Sequence, residues 1–331
     1  MLPFTQNAAA SVAALGEEKL IAAIRRWLGA ASPRAPFGIG DDCAVLRASR
    51  GRQLITVDPV IYGRHFDARV PPREVGEKLL KRNLSDLAAM GGHPTAAVLA
   101  LTLDARVSLV WLEQFYRGLA ACARRYRVPV VGGDLSQADG IVAASLTLLG
   151  EAASWRTGAA RKRVTRVLTR TGARIGDVIF VTGVLGHSLP SSHHYRFVPR
   201  LAEGAWLARR PEVRAMMDVS DGLAKDLRAL TPSGGTPALV AAQLPLRAGA
   251  DERSALSDGE DYELVFAVAG AATLPAFTRA WRRAFPRTRL TQIGRFVRDG
   301  PRAPGTVNLA DYHGYEHLRQ AAAPSDVQRR W

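Results

Sequence analysis

The sequence predicts a layered α/β (α+β) fold divided into two domains, and three observations lead to this prediction. The chain has 331 residues, whereas one domain normally accounts for roughly 100–200. Strand-like and amphipathic helical segments alternate along its first half, which is the pattern of an α/β layer. Residues 152–163 are small, polar and basic, with no apolar period. We therefore predict a linker there, with one domain at 1–151 and the other at 152–331.

The elements of the first domain follow from hydrophobic spacing and from the residues that end each segment. A strand over 53–57 is predicted to stop at Asp58-Pro59, because proline cannot donate to a strand ladder. Gly132-Gly133-Asp134 is predicted to end a short strand over 128–131 in the same way. The other predicted elements are helices over 17–28, 74–90 and 108–126 and strands over 96–103 and 141–150.

The second domain is predicted to contain a similar set of elements. One helix is expected to begin after Ser220-Asp221-Gly222. The other expected elements are strands over 178–182, 215–218 and 262–268 and a helix over 271–284. Residues 230–236 predict a loop, and the residues after 321 predict a disordered end.

The charge of the chain raises the question of a polyanionic partner. Its formal net charge is +15, from 45 basic and 30 acidic residues. However, 40 of the basic residues are arginines spread along the whole sequence, and aromatic residues make up only 7%. A base-stacking surface needs aromatic side chains near its basic ones. Charge alone therefore does not decide the partner: an arginine-rich composition explains it at least as well as nucleic acid does, and we favour the interpretation without a nucleic-acid partner.

Cysteine usage and hydropathy indicate the compartment. Cys43 and Cys122 are too few for a disulfide framework, which favours a reducing compartment, the cytoplasm. No apolar run approaches the roughly 20 residues of a membrane span. The N-terminal residues lack the basic and apolar regions of a signal peptide. We expect no membrane partner.

Carboxylates are placed where extended segments are predicted to end. Seven of them lie at such ends or in turns: Asp41, Asp42, Asp58, Asp134, Asp218, Asp221 and Glu260. Asp86 lies instead on a helix face with Asn83, three residues earlier. A single Asp beside Gly is usually a turn residue, but the set occupies the places where α/β folds collect ligands. Oxygen donors from several segments suit Mg²⁺, which also binds phosphates.

Other common sites find no support in the sequence. Neither cysteine has a second cysteine or a histidine at zinc-ligand spacing. His193-His194 lies in a Pro/Ser-rich stretch, where we expect a solvated loop rather than a zinc site. A phosphate-binding GxxxxGK[ST] loop and a GxSxG nucleophile motif are also missing.

Six motifs, in order along the chain, resemble one enzyme family. They are GIGDDCA at 38–44, NLSDLAAMG at 83–91, GGD at 132–134, LTRTGARIGD at 168–177, DVSDGL at 218–223 and GEDYEL at 259–264. Together they resemble the thiamine-monophosphate kinases, within the aminoimidazole ribonucleotide synthetase-like superfamily. The resemblance implies the two-domain fold of that superfamily. Its first domain has a mixed sheet with helices and carries the metal site, nucleotide contacts and dimer contacts, and its second domain is α/β.

The resemblance also implies an activity and a set of site residues. The activity is ATP-dependent, Mg²⁺-dependent phosphorylation of thiamine monophosphate to thiamine diphosphate. The implied ligands of several Mg²⁺ ions are Asp42, Thr56, Asp58, Asp86, Asp134, Asp218 and Asp221. The implied contacts of ATP are Tyr116, Gly133, Asp134, Arg170 and Ser220. The implied contacts of thiamine monophosphate are His65, Glu260 and Tyr315.

For the mechanism we favour direct in-line transfer. The acceptor is a phosphate with a second pKa of about 6, so it needs no general base, and positioning and charge neutralisation suffice. Asp134, Arg170 and Asp221 would act electrostatically, with His65 and Arg170 donating to phosphates. A phosphorylated His65 intermediate is the alternative. Members of the superfamily pair their first domains, which implies a homodimer.

The chain departs from the family pattern at several positions. Val57 and Pro59 stand where hydroxyl residues are usual, and Leu135–Gln137 replaces a segment that normally includes an arginine. His187 stands in place of an Asp, and the helix after it is nearly absent. Asp258 replaces a glycine. These departures keep two alternatives open: a diverged ATP-using enzyme with another phosphate or carboxylate acceptor, and a non-catalytic nucleotide-binding paralogue.

Overall fold

The computed structural model describes residues 1–35, 37–40, 43–46, 48–49, 51–157, 162–270, 273–301 and 305–316. Within these residues the chain forms two compact units. Unit 1 comprises Met1–Leu84 and Pro94–Glu151, and unit 2 comprises Ser85–His93 and the described part of Ala152–Ala321. The predicted disordered end and two predicted acids, Asp41 and Asp42, lie outside the described residues.

Unit 1 is built on a four-stranded mixed sheet. Its helices are α1 (Val12–Leu15), α2 (Glu17–Leu28), α3 (Pro72–Ala89, the end of which belongs to unit 2) and α4 (Leu109–Tyr126). Its strands are β1 (Gln53–Ile61), β2 (Gly92–Leu103), β3 (Val130–Gln137) and β4 (Val142–Ala152). The strand order is β1-β4-β2-β3, with β1 and β4 antiparallel and β2 and β3 parallel. The predicted mixed sheet is therefore confirmed.

The two faces of this sheet differ in burial. Trp111, Leu112 and Phe115 of α4 surround one small apolar cavity together with Val60 of β1 and Leu101 of β2, so α4 covers that face. The opposite face carries Ile55 and Val57, which are 72% and 60% exposed. Side chains alternate between the faces of a strand, and the burial of β4 alternates with this period. One face of the sheet is therefore the core of unit 1, and the other is open.

Unit 2 is built on a five-stranded sheet. Its strands are β7 (Val178–Thr182), β8 (Val213–Val219), β9 (Gly235–Leu239), β10 (Glu263–Val268) and β11 (Leu290–Arg298). Their order in the sheet is β8-β10-β7-β11-β9. Its helices are α5 (His193–Arg196), α6 (Leu201–Ala208), α7 (Leu223–Leu230), α8 (Glu252–Ser257) and α9 (Leu274–Ala284). All residues of β10 are buried, and separate apolar clusters lie on its two sides, one around Val265 and one around Phe266. This layering confirms the α/β class.

Two strands continue past the residues predicted to end them. In β1, Pro59 pairs with Ser145, and proline is tolerated because β1 is the outer strand of the sheet and can turn its missing N–H away from β4. In β3, Gly133 and Asp134 pair with residues of β2. The prediction that Asp58 and Asp134 lie at strand ends is therefore wrong, because both lie within strands.

The stretch predicted as a linker begins where the two units divide, but its described residues have regular structure. Ala152 completes β4, and the strands β5 (Ser154–Thr157) and β6 (Lys162–Thr165) pair antiparallel. Trp155 lies opposite Val164 in this ladder. Such cross-strand apolar pairs stabilise a strand that lacks a regular apolar period.

The His193-His194 pair is not in a solvated loop. Both histidines lie in α5, His194 is only 6% exposed, and the Nε2 of His193 lies 2.9 Å from the carbonyl oxygen of Asp261. Within the described ranges, neither belongs to a group of three or more side chains that could hold a metal. In the same part of the chain, no helix combines the length and the apolar character that crossing a membrane requires.

Helices α3 and α4 approach each other through two glycines. A Cβ on Gly118 would lie 1.9 Å from the carbonyl oxygen of Arg73, and a Cβ on Gly76 would lie 2.0 Å from that of Phe115. No real side chain tolerates such distances, so the crossing needs glycine on both helices.

We predict that Gly118→Ala destabilises the protein by about 1–3 kcal/mol, the usual cost of overpacking. Helix propensity alone predicts the opposite sign, a gain of about 1 kcal/mol. Urea unfolding measures the difference. Arg124→Ala, at an exposed position of the same helix, is the control and should change the free energy of unfolding by less than about 0.5 kcal/mol. An unchanged or increased stability of Gly118→Ala would contradict the close packing.

Candidate functional site

The first predicted metal ligands of unit 1 lie in β1. Thr56 and Asp58 are half-buried and share one face of the strand, because they are two residues apart. The Nη2 of Arg82, from α3, lies 3.3 Å from the Oδ1 of Asp58. The Nη1 of the same guanidinium donates to the carbonyl oxygen of Pro59. Arg82 thus holds both the backbone and the carboxylate of this strand.

His65 follows β1 and has a defined ring orientation. Its Nδ1 accepts a hydrogen bond of 3.1 Å from the backbone N–H of Ile61. Its carbonyl oxygen accepts one of 2.6 Å from the Nζ of Lys78, whose side chain is fully buried. Since Nδ1 is the acceptor, the neutral ring carries its proton on Nε2. His65 is therefore arranged as an Nε2–H donor.

Gly133 and Asp134 lie on β3, the other outer strand. A Cβ on Gly133 would lie 2.1 Å from the carbonyl oxygen of Leu99, so the pairing of β3 with β2 needs glycine there. Asp134 is exposed, and its Oδ2 accepts a hydrogen bond of 3.1 Å from the Oγ of Ser136. Asp58 and Asp134 thus occupy opposite edges of the sheet, and the structure does not bring them together within unit 1.

Tyr116 lies in the core of unit 1 rather than on a surface. It is 3% exposed, and its ring packs edge-on against Phe115, with centroids 5.5 Å apart. It also lies at 36° to the ring of Trp27, with centroids 6.0 Å apart. Burial raises the pKa of its hydroxyl well above the usual value. This packing gives the predicted nucleotide contact by Tyr116 no support.

In unit 2, the end of α3 lies against β8. The Oγ of Ser85 donates a hydrogen bond of 2.7 Å to the Oδ2 of Asp218, which is 3% exposed. Asp86, the next residue of α3, is half-buried. The structure thus joins two predicted metal-site segments that are separated by 133 residues of sequence. Sequence reasoning did not single out Ser85, although it lies between Asn83 and Asp86 in a motif that was recognised.

The turn after β8 is held by a residue that sequence reasoning missed. The Oδ2 of Asp226 accepts hydrogen bonds of 3.0 Å from the backbone N–H groups of both Ser220 and Asp221. Burial raises the pKa of Asp226 to about 7. Asp221 itself pairs with Lys225, Oδ2 to Nζ at 2.6 Å. The one available signal was a carboxylate in the first turn of a helix that follows Ser-Asp-Gly.

Two further predicted residues meet this turn. The backbone N–H of Glu260 donates to the carbonyl oxygen of Ser220 at 2.7 Å, and that of Tyr315 donates to the carbonyl oxygen of Asp221 at 2.8 Å. The Nζ of Lys225 also donates to the carbonyl oxygen of Tyr315, at 2.6 Å. Ser220, Asp221, Glu260 and Tyr315 therefore surround a single turn, although they come from three distant parts of the sequence.

The loop that holds Glu260 has an unusual backbone. Glu260 and Tyr262 have φ angles of +66° and +52°, in the left-handed region that side-chain-bearing residues seldom adopt. The hydroxyl of Tyr262 donates to the Oε1 of Glu260 at 3.4 Å. Such conformations cluster at functional sites, where the surrounding structure holds them in place.

Arg170 lies before β7 and is exposed. The preceding residue, Thr169, accepts a hydrogen bond of 2.9 Å at its carbonyl oxygen from the N–H of Met216 in β8. The backbone next to Arg170 is therefore hydrogen-bonded to the strand that carries Asp218.

The described donors fit Mg²⁺ in kind. No three His, Cys, Asp or Glu side chains of the described residues are grouped so as to hold a metal ion by themselves, and Asp42 lies outside those residues. Mg²⁺ does not need such a cage, because it commonly binds one or two carboxylates and completes its shell with water and phosphate oxygens. The exposed carboxylate of Asp134, beside the hydroxyl of Ser136, is a donor set of this sort.

Solved structures resemble this chain over most of its length. The thiamine-monophosphate kinase of Stenotrophomonas maltophilia K279a is 29% identical, with a TM-score of 0.69, over 86% of this chain and 96% of that one. AaThiL complexed with AMPPCP and TMP is 27% identical, with a TM-score of 0.65, over 95% of this chain and 100% of that one.

Sequence comparison identifies the family. Residues 40–152 match the model of the AIR synthase related protein, N-terminal domain. The chain is 36% identical to the thiamine-monophosphate kinase of Rhodopirellula baltica, over 72% of this chain and 77% of that protein. It is 33% identical to the Salmonella typhimurium enzyme of the same name, over 92% of this chain and 99% of that protein. This chain therefore belongs to the thiamine-monophosphate kinase family.

Proposed function

We propose that this chain is a kinase that transfers the γ-phosphoryl group of ATP to thiamine monophosphate, giving thiamine diphosphate and ADP. The observation that carries this proposal is the turn of unit 2, where Ser220, Asp221, Glu260 and Tyr315 lie together. Family membership and the related AaThiL complex with AMPPCP and TMP support it. We assign the functional domains to 1–151 and 152–331 and the enzyme to the cytoplasm, in keeping with its two free cysteines.

The thiamine-phosphate side is assigned to His65, Glu260 and Tyr315. The Nε2–H of His65 suits a phosphate oxygen, because its Nδ1 is already an acceptor. The carboxylate of Glu260 suits the positive charge of a thiazolium ring. The ring of Tyr315, which is 38% exposed, offers a face for stacking on that cation.

The nucleotide side is assigned to Gly133, Arg170 and Ser220. The exposed guanidinium of Arg170 can donate to phosphate oxygens in a two-pronged manner. The glycine at 133 leaves its stretch of β3 without a side chain. We do not include Tyr116, because its side chain is buried.

The residues proposed to supply oxygen donors to the Mg²⁺ ions are Thr56, Asp58, Asp86, Asp134, Asp218 and Asp221, with Asp42 from outside the described residues. When bound, Mg²⁺ supplies positive charge that offsets the repulsion between two polyanions and stabilises the transferring phosphoryl group. The side chains themselves position the acceptor, and no general base is required because the acceptor phosphate is largely dianionic near neutral pH.

Direct transfer is favoured over a phosphorylated histidine. An Nε2 nucleophile on His65 would need its lone pair free and its proton on Nδ1. The Nδ1 already accepts the N–H of Ile61 at 3.1 Å, so two N–H groups would then face each other. The ring is therefore better suited to donate than to attack.

We predict that Asp86→Asn and Asp134→Asn each lower turnover by at least about a hundredfold, because each removes a charge on which phosphoryl transfer depends. Chromatography for thiamine diphosphate, after incubation with Mg·ATP and thiamine monophosphate, measures turnover, and circular dichroism checks the fold. Asp299→Asn, at an exposed site, is the control and should keep wild-type activity.

Two outcomes would count against the proposal. Full activity in both aspartate variants would contradict the proposal that Asp86 and Asp134 bind Mg²⁺. A wild-type protein that binds ATP but forms no thiamine diphosphate would remove the acceptor assignment and favour a different phosphate or carboxylate acceptor.

We also propose that the chain forms a homodimer through the open face of the unit 1 sheet. Ile55 and Val57 are 72% and 60% exposed on that face, and they pair with Leu149 and Thr147 of β4. Exposed apolar side chains on a sheet commonly mark an association surface.

Under this proposal, Val57→Lys should convert the dimer to a monomer, because it places a charge on the open face that the second copy would cover. Size-exclusion chromatography with light scattering measures the mass. Val110→Lys is the matched control, since Val110 is 53% exposed on α4, and it should leave the dimer intact. A wild-type monomer, or a dimer that survives Val57→Lys, would contradict this surface.

A further inference from the structure

A segment of unit 2 runs along the loop that carries Glu260. We call residues 186–197 the clamp segment and residues 258–262 the Glu260 loop. Three consecutive clamp residues each donate one hydrogen bond to the loop: Gly186 N–H to Asp261 Oδ2 at 2.8 Å, His187 N–H to Asp258 Oδ2 at 2.8 Å, and Ser188 Oγ to the carbonyl oxygen of Gly259. These contacts lie on both sides of Glu260.

The second half of the clamp segment continues the contact. The Nε2 of His193 lies 2.9 Å from the carbonyl oxygen of Asp261. A carbonyl only accepts, so the neutral His193 ring donates its Nε2–H to it. The ring of Phe197 stacks on that of Tyr262, with centroids 3.9 Å apart and an angle of 20° between the planes. The clamp segment thus contacts the residues before and after Glu260.

Buried charge ties the two segments together. Asp261 is 0% exposed, and its Oδ1 accepts a hydrogen bond of 3.0 Å from the Nη2 of Arg247. The Nε of Arg247 donates to the carbonyl oxygen of Gly186 at 2.8 Å. Arg247 therefore bridges Gly186, the first residue of the clamp segment, and Asp261 of the loop. A buried ion pair that loses one partner is strongly destabilising, so this bridge resists opening.

These contacts act on a backbone with an unfavourable conformation. Glu260 and Tyr262 both have positive φ angles, which cost of order 1–3 kcal/mol each unless the surroundings impose them. Two backbone hydrogen bonds attach the loop to the end of β8 and the turn after it. Glu260 N–H donates to the Ser220 carbonyl at 2.7 Å, and Tyr262 N–H donates to the Val219 carbonyl at 2.8 Å. The clamp segment and Arg247 add further restraint to the loop.

One contact between the clamp segment and the Glu260 loop involves a residue that departs from the family pattern. Asp258 replaces a glycine, and its carboxylate is the acceptor for His187 N–H. A glycine has no side chain and could not make this bond. The bond between Asp258 and His187 is therefore a restraint on the loop that a glycine at position 258 would not provide.

We propose that the clamp segment positions Glu260 for the cationic part of the substrate, with His193 and Ser188 as positioning residues. The proposal rests on the proposed function, because it names the substrate group that Glu260 meets. The clamp side chains do not contact the reacting phosphates in this account; they act by holding the loop.

The surroundings of His193 lead to a pH prediction. Burial lowers the pKa of His193 to about 4; the hydrogen bond to Asp261 opposes this, and the positive charges of Arg247 and Arg200 add to it. The unfolded chain, with a histidine pKa near 6.5, binds more protons between pH 4 and 6.5 than the folded protein does. This contribution to stability is complete above about pH 6.5 and falls as the pH drops towards 4.

We expect the free energy of unfolding to fall more steeply in the wild type than in His193→Gln between pH 6.5 and 4.5. Urea unfolding at a series of pH values measures both slopes, and glutamine keeps an N–H donor without a titrating ring. Equal slopes would mean that His193 is not buried against the loop.

The closing experiment compares His193→Ala, Ser188→Ala and His193→Gln. We expect the two alanine variants to raise the KM for thiamine monophosphate by about fivefold to tenfold, the effect of losing about one hydrogen bond. The KM for Mg·ATP should change less than about twofold, and His193→Gln should restore wild-type values. His93→Ala, at an exposed site on β2, is the matched control. An equal rise in both KM values, or no rise, would overturn the proposal.

A second readout separates this proposal from the proposed function. Amide hydrogen exchange of Glu260 and Tyr262 reports loop order without any substrate. We expect exchange at both amides to accelerate at least about tenfold in His193→Ala and to stay at the wild-type rate in His193→Gln. If the wild type shows this exchange pattern but does not phosphorylate thiamine monophosphate, the proposed acceptor is wrong and the proposal for the clamp segment stands. Unchanged exchange in His193→Ala would contradict the proposal that the clamp segment holds the Glu260 loop.

Discussion

The carboxylate of Asp226 is the contact on which the candidate site of unit 2 depends. It accepts the N–H groups of Ser220 and Asp221, and the carbonyl oxygens of the same two residues accept the N–H groups of Glu260 and Tyr315. One buried acid therefore shapes a turn to which two distant segments attach. Burying a carboxylate is costly unless it is hydrogen-bonded, and its pKa of about 7 shows that two donors offset only part of this cost. A carboxylate whose pKa is raised by burial is typical of functional sites.

In unit 1, two candidate site residues lie on the outer strands of the sheet. Asp58 lies on β1 and Asp134 on β3, at opposite edges of one sheet. Arg82 holds the first of these edges through both the backbone and the side chain. At the other edge Gly133 allows a close backbone approach that any side chain would prevent. Exposed outer strands invite association, which agrees with the apolar character of the open face.

The departures from the family pattern have local structural explanations at two positions. Pro59 is accommodated because β1 is an outer strand and needs no N–H on that side. Asp258 supplies an acceptor for the backbone of His187, whose φ of +57° marks a tight turn. These residues are therefore compatible with an intact fold. Nothing in the structure explains Leu135–Gln137 in place of the arginine-containing segment.

The sequence by itself determined the helices with a clear apolar stripe, such as α2 over Glu17–Leu28, the α/β class, and the motifs that hold Asp86, Asp218 and Glu260. Such features depend on residues close together in the chain. Only the tertiary structure decided that β1 passes through Pro59, that Tyr116 is buried, and that Asp226 and His193 support the site. The physical reason is that strand ends, burial and hydrogen-bond partners depend on which distant segment lies alongside. The partner of Ser85, for example, is 133 residues away.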